Sequence, residues 1–88
     1  MKSIDYKVEG GKLLRLQVSL ENEIIKDIKI NGDFFVHPED SIFKIESFLI
    51  GKKTKNIDKD LNSFLERENI KIIGFNAHDL KIAIEKIV

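Results

Sequence analysis

The run Leu14-Arg15-Leu16-Gln17-Val18-Ser19-Leu20 alternates strictly between apolar and polar side chains. Successive side chains of a strand point to opposite faces of a sheet, so this alternation predicts a strand with one buried face. The same even-numbered parity holds on both sides of the run, at Ile4, Tyr6, Val8, Ile24, Ile28 and Ile30, with Lys26 as the exception. The first third of the chain therefore predicts three half-buried antiparallel strands.

Parity also limits the hairpin loop between the first two strands. Residues directly opposite each other in a hairpin share a face, so the loop has to hold an odd number of residues. A three-residue loop of residues 10–12 meets this condition and pairs Val8 with Leu14, whereas a two-residue Gly-Gly turn would turn one strand over. We therefore predict that Lys12 lies in the loop or in an adjoining bulge.

The second hairpin follows the same parity condition and predicts a three-residue loop, Glu21-Asn22-Glu23. This loop pairs Leu20 with Ile24, and its asparagine is the residue best suited to a left-handed backbone. In the same register Lys26 lies opposite Val18, where its long stem can extend along the sheet edge towards water.

The rest of the sequence predicts three helices. Pro38 suits the first position of the first helix, with acidic residues in the turn after it and Gly51 as the C-cap. Asn56 is the predicted N-cap of the second helix, and the third starts at Asn76 with Asp79 in position for a capping box. The apolar stripes of the three helices are Ile42, Ile45, Phe48 and Leu49, then Ile57, Leu61, Phe64 and Leu65, then Leu80, Ala83, Ile84 and Ile87.

These elements predict an α+β domain of order β-β-β-α-α-α, spanning residues 1–88. It is a three-stranded antiparallel meander followed by three helices packed on one face, while the other face of the sheet is solvated. The short run Ile70–Gly74, between the last two helices, fits either a short strand or an apolar linker, and the sequence leaves both open.

Composition excludes several classes of function. The 88 residues suit one domain, and an apolar share of 42% supports one core. Fifteen basic and fifteen acidic residues cancel, which disfavours a nucleic-acid or anionic-membrane partner. The absence of cysteine excludes disulfides, thiol nucleophiles and Cys-based metal sites, and no apolar run reaches the length of a membrane span. We therefore expect a mature, soluble, cytoplasmic protein.

The segment Gly32-Asp33-Phe34-Phe35 places two aromatic rings between the third strand and Pro38. Consecutive side chains of an extended chain face opposite ways, so one ring is expected to pack under the helices. The other ring either covers an edge of the core or contacts a partner, and both alternatives remain open. Asp33 could act as a general base, but turn formation is the favoured role for an aspartate after glycine.

No other residues form a catalytic or metal-binding constellation. The two histidines, His37 and His78, cannot close a zinc site alone, and both are predicted at caps or on the surface. The Gly10-Gly11-Lys12 run lacks the spacing and the following helix of a phosphate-binding loop, which leaves a hairpin loop or a contact role for Lys12. We predict no catalytic residue and no metal ligand on this chain.

The chain nevertheless resembles the small C-terminal domain of lipoate–protein ligases. The resemblance rests on Gly10-Gly11-Lys12-Leu13, Gly32-Asp33-Phe34-Phe35, Pro38-Glu39, the helix leading to Leu49-Ile50-Gly51, and Gly74 followed by Asp79-Leu80. It covers nearly the whole chain. It implies a fold similar to the iron–sulfur scaffold and sulfur-acceptor (SufE/IscU-like) class.

The resemblance also implies a function. Such ligases use ATP and Mg²⁺ to convert lipoate to lipoyl-AMP and then lipoylate a lysine of an acyltransferase lipoyl domain or of the glycine-cleavage H protein. The large catalytic domain has no counterpart here, so the resemblance implies a separate accessory subunit, as in archaeal two-chain ligases, that binds no cofactor alone. It implies a heterodimer with the catalytic subunit. As a hypothesis, we take Gly11, Lys12, Asp33, Phe34 and Phe35 as the candidate surface that contacts this subunit or closes its active site. A free-standing protein-interaction or adaptor module is the alternative.

Overall fold

The computed structural model describes residues 1–87, which form two antiparallel sheets and three α-helices. The elements are β1 (Lys2–Lys7), β2 (Leu13–Glu21), β3 (Ile24–Gly32), β4 (Phe35–His37), α1 (Ser41–Leu49), a 3₁₀ turn (Thr54–Asn56), α2 (Ile57–Arg67), β5 (Lys71–Ile73) and α3 (Ala77–Glu85). The larger sheet has the order β1-β2-β3, and β4 pairs with β5 in the smaller one. The predicted α+β class and its meander followed by three helices are confirmed; the likeness to the SufE/IscU-like class stays a prediction.

The β1–β2 hairpin keeps the predicted parity but not the predicted register. Tyr6 pairs with Leu14, and the last pair of the ladder leaves residues 8–12 as a five-residue connection. The prediction of a three-residue loop was therefore wrong. Hydrogen bonds from the Val8 amide to the Lys12 carbonyl (3.1 Å) and from the Gly11 amide to the Val8 carbonyl (2.9 Å) close this longer loop on itself. Because five is also odd, the same side chains still face inward.

The β2–β3 hairpin has a two-residue turn instead of the predicted three-residue loop. Asn22 and Glu23 both have left-handed backbones, with φ of 53° and 65°, and Glu21 pairs with Ile24. Left-handed conformations at both central residues match the right-handed twist of the two flanking strands. The left-handed conformation expected for the asparagine is confirmed, and Glu23 adopts it as well.

A β-bulge at Lys26 restores the predicted inward facing of the even-numbered residues in the rest of β3. Leu20 pairs with Ile25, whereas Ser19 pairs with Asp27, so Lys26 is the extra residue and has no partner across the ladder. The prediction that it lies opposite Val18 was wrong. The bulge explains why Ile25 is fully buried, a position that simple alternation assigned to the solvent face.

The predicted N-caps Asn56 and Asn76 are confirmed, whereas Pro38 is not the first residue of α1 and the C-cap of α1 is Ile50, one residue before the predicted Gly51. A turn in which the Ser41 amide donates to the Pro38 carbonyl (2.9 Å) precedes α1, so Pro38 is not the first helical residue. The reason is β4, whose pairing with β5 holds the chain extended through His37. Gly51 follows the C-cap of α1 with φ of 89°, as expected for a glycine at that position.

One core lies between the larger sheet and the helices. Its fully buried side chains come from both layers and include Leu14, Leu16, Ile25, Ile45, Leu49, Ile57, Leu61, Leu80 and Ile84. The outer edge of β3 is covered by the helical layer, because the Glu46 carboxylate of α1 accepts the Ile30 amide proton at 2.7 Å. The solvated face carries a two-hydrogen-bond pair from Arg15 to Asp5 (2.9 and 3.2 Å), which raises the pKa of Arg15 above its ordinary value.

Candidate partner-binding site

Gly74, directly after β5, brings three of the predicted contact residues together. The Lys12 amide donates to the Gly74 carbonyl at 3.3 Å. A Cβ on Gly11 would lie 2.7 Å from the same carbonyl oxygen, and a Cβ on Gly74 would lie 3.0 Å from both Lys12 Cγ and Phe34 Cβ. These close approaches need glycine at both positions, and they fix the β1–β2 loop against the end of β5.

Asp33 lies beside the start of β2, on the side of the solvated sheet face. Its amide donates to the Leu13 carbonyl at 3.1 Å, and its side chain is exposed. Its carboxylate contributes, after the larger effect of Asp5, to the raised pKa of Arg15. The backbone hydrogen bond to Leu13 fits the turn role predicted from the sequence.

Phe34 and Phe35 face opposite ways, as the sequence predicts for consecutive residues in extended chain. The Phe34 ring is half-buried and meets the Phe75 ring edge-to-face, with 4.9 Å between centroids and an interplanar angle of 84°. The Phe35 ring is 70% exposed. The internal ring therefore holds the crossing to the helices in place, and the external ring is free to contact a partner.

The outward side of the smaller sheet carries four exposed side chains, which we call the outer β4–β5 face: Phe35, His37, Lys71 and Ile73. Phe35 lies directly across from Ile73, which is 64% exposed, and His37 lies across from Lys71. On the inward side Val36 is buried. Of these four residues, the sequence analysis predicted only Phe35 as a partner contact. Assigning Ile70–Gly74 to a strand would also have predicted that the Ile73 side chain is exposed.

The surface of the described residues has two mainly apolar hollows, of which one lies beside this face and the other in the helical layer. A groove of about 390 Å³ runs beside Phe35. It lies between the end of β3 on one side and Glu39, just before α1, and Ile42, in the first turn of α1, on the other. A second, shallower cleft of about 540 Å³ lies between α1 and α2, where Phe43 is 68% exposed. The floor of the second cleft is the stacked pair Phe48 and Phe64, with 4.2 Å between ring centroids. The molecule thus has two separate exposed phenylalanines.

The described residues contain no cluster of side chains that could hold a metal ion. Within residues 1–87 there is no group of three or more His, Cys, Asp or Glu side chains that could hold a metal ion. His37 and His78 are both exposed. In the same part of the chain no helix has the length and apolar character required to cross a membrane.

Comparisons of the sequence and of the fold with known proteins both find lipoate–protein ligases. Residues 3–87 match the family described as the bacterial lipoate protein ligase C-terminus. A curated relative, Lipoate-protein ligase A subunit 2 of Thermoplasma acidophilum, is 41% identical over 64 residues, covering 73% of this chain and 67% of the relative. A chain from the solved structure of an archaeal lipoylation system of T. acidophilum, a bipartite lipoate protein ligase and its E2 lipoyl domain, aligns with a TM-score of 0.77 and 34% identity. That alignment covers 94% of this chain and 92% of the other.

Proposed function

Because the chain belongs to the family of bacterial lipoate protein ligase C-terminal domains, we propose that it is the accessory subunit of a two-component lipoate–protein ligase. The observation that carries this proposal is the similarity to a relative named as a separate second subunit, with both proteins matched over two thirds or more of their length. The similar chain in the bipartite ligase structure, matched over 92% of its length, supports the same assignment.

The proposed role is to make the catalytic subunit competent for adenylation. In that reaction the lipoate carboxylate attacks the α-phosphate of Mg²⁺-bound ATP, forming lipoyl-AMP and releasing pyrophosphate. The lipoyl group then passes to a lysine amine of an acceptor, either the lipoyl domain of an acyltransferase or the glycine-cleavage H protein, and AMP leaves. In this proposal ATP, Mg²⁺ and lipoate are used by the assembled enzyme in the cytoplasm, and this chain alone binds none of them.

The contribution of this chain is then to dock and to close over the nucleotide site of the catalytic subunit. The predicted contact residues Gly11, Lys12, Asp33 and Phe35 lie around one corner of the fold, at the β1–β2 loop, the end of β3 and β4. Phe34 supports that corner from inside through its contact with Phe75. A rigid corner of this kind can hold a closing surface with little loss of conformational entropy on binding.

Lipoate-dependent ATP–pyrophosphate exchange tests the proposal directly. The catalytic subunit is assayed with and without this chain, and we expect exchange to require the chain or to rise at least about tenfold when it is added, the equivalent of 1.4 kcal/mol in the barrier. Transfer from presynthesised lipoyl-AMP to an acceptor domain separates adenylation from the later step. Exchange rates that are equal with and without the chain would overturn the proposal.

A free-standing adaptor is the competing function, and the exposed Phe35 and Phe43 rings are compatible with it. The two functions differ in the outcome of a native pulldown. Capture of a ligase catalytic subunit, followed by stimulation of exchange, supports the accessory subunit. Capture of an unrelated protein, together with unchanged exchange, supports the adaptor.

A further inference from the structure

We propose that the catalytic subunit docks on the outer β4–β5 face, with Phe35 and Ile73 as apolar anchors and Lys71 and His37 opposite a carboxylate of that subunit. The inference rests on the proposed function, because the occupant is the partner that function requires. It adds three residues that the sequence did not indicate, and it assigns Phe34 a supporting role instead of a contact.

Phe35 and Ile73 are paired across a strand ladder. Among the described residues, no other two large exposed apolar side chains are paired in this way. Exposed large apolar residues within 1–87 are Met1, Phe35, Phe43, Ile50 and Ile73. Phe35 and Ile73 lie opposite each other across the β4–β5 ladder, where Cβ atoms are about 4.5–5.5 Å apart. They therefore present one continuous apolar surface, which gains burial only when another molecule covers it.

The anchors are held rigidly from behind. Val36 is buried on the inward side, and its cross-strand partner Ile72 is half-buried against the same core. At the end of β5, Gly74 lies in close contact with Lys12 and Phe34. A backbone fixed in this way does not have to be ordered on binding, so little of that entropic cost is added when the two anchors are covered.

The charges of the face specify the chemistry of its partner. His37 lies directly across from Lys71, and the face contains no acidic residue. The ion pairs formed within residues 1–87 are Arg15–Asp5, Arg67–Glu68 and Lys81–Asp58, so the Lys71 ammonium forms no ion pair with the described residues. A carboxylate on the docked protein, beside an apolar pocket for Phe35 and Ile73, supplies the missing complement.

A second copy of this chain meets that requirement poorly. The outer β4–β5 face of a second copy would bring another apolar pair but also a second Lys71 and no carboxylate. We therefore expect the chain alone to be monomeric through this face. The catalytic subunit is the occupant that supplies different chemistry.

Binding of purified catalytic subunit to variants of the full chain, measured by calorimetry alongside the exchange assay, tests the inference. We expect Phe35→Asp and Ile73→Asp each to weaken binding by about tenfold or more, as for anchor residues. Phe43→Asp is the matched control, since that ring is 68% exposed against 70% for Phe35 and lies on α1. It is expected to leave the affinity within about threefold of the wild type.

The contribution of Lys71 is tested separately, by the dependence of binding on salt concentration. Lys71→Glu is expected to weaken binding at low salt, with a difference that shrinks as ionic strength rises and screens the contact. Lys59→Glu, an equally drastic change at an exposed position on α2, is expected to leave binding unchanged. Unaltered thermal melting of every variant excludes unfolding as the cause, and Phe35→Ser replaces Phe35→Asp if the aspartate disturbs β4.

These measurements distinguish a failure of the proposed function from a failure of the proposed docking face. If the wild-type chain neither binds nor stimulates the catalytic subunit, the proposed function fails. If the wild type does both, and Phe35→Asp and Ile73→Asp bind equally well, the function stands and the docking face is wrong. Greater loss with Phe43→Asp would place the interface at the α1–α2 cleft and overturn the inference. So would a homodimer of the chain alone that Phe35→Asp dissociates.

Discussion

The six phenylalanines show how single residues divide between stability and contact in this small protein. Four of them form internal pairs, Phe34 with Phe75 and Phe48 with Phe64. Phe35 and Phe43 remain exposed, each next to one of these pairs in sequence or in space. Sequence reasoning found that Phe34 and Phe35 must point opposite ways, because that follows from strand geometry alone. It could not tell which ring lies inside, since the inner ring is selected by Phe75, far along the chain.

Gly32 and Gly10 both have a positive φ but differ in the space around them, so alanine at the two positions is expected to lower the stability by different amounts. Gly32 has φ of 147°, and a Cβ there would overlap the Leu13 carbonyl oxygen, whereas Gly10 has φ of 67° and open space around it. We expect Gly10→Ala to cost about 1–2 kcal/mol of unfolding free energy, the cost of a left-handed alanine. Gly32→Ala adds a backbone overlap and is expected to cost about 2–5 kcal/mol. Urea unfolding measures both, and equal costs would contradict the close approach at Gly32.

At the scale of elements, the sequence predicted the strands better than their connections. Alternation identifies the inward residues of β2 and of the end of β3 because one face is buried throughout. Alternation carries no mark of an inserted residue, which is why the bulge at Lys26 and the burial of Ile25 were missed. The three-residue strand β4 was missed for another reason: its partner β5 lies more than thirty residues later, and a pairing that distant leaves no local pattern.

The capping box of α3 gives the element-scale prediction. The Asn76 side chain accepts from the Asp79 amide at 2.8 Å, and the Asp79 carboxylate accepts from the Asn76 amide at 2.9 Å, as the sequence predicted. We expect Asn76→Ala to lower the unfolding free energy by about 0.5–2 kcal/mol, because it removes the acceptor for a free helix amide.

Asn62→Ala is the matched control for this substitution. Asn62 is exposed in the middle of α2, where alanine is the better helix former, so the change is expected to be neutral or slightly stabilising. Chemical denaturation followed by circular dichroism measures both variants. A cost for Asn76→Ala no larger than that of the control would show that the capping box does not stabilise α3.

At the scale of the whole molecule, the fold is two layers that share one core. The shortest dimension, 19 Å, leaves room for one sheet and one layer of helices, each about 10 Å thick. Every fully buried side chain of the sheet faces the helices, so neither layer has a core of its own. The four side chains of the outer β4–β5 face lie outside this core, so we expect their substitution to leave the fold intact.

The shared core predicts that sheet and helices unfold together. Leu16, on the central strand β2, is fully buried, and Leu16→Ala is expected to cost about 2–5 kcal/mol through lost burial and the cavity left behind. Gln17→Ala, the next residue on the solvated face, is expected to change the unfolding free energy by less than about 0.5 kcal/mol. In urea the helical circular dichroism signal and the absorbance of Tyr6 on β1 should shift to the same lower midpoint in Leu16→Ala. Two separated transitions, with the helical signal unmoved, would show that the layers are stabilised independently and that the single core is wrong.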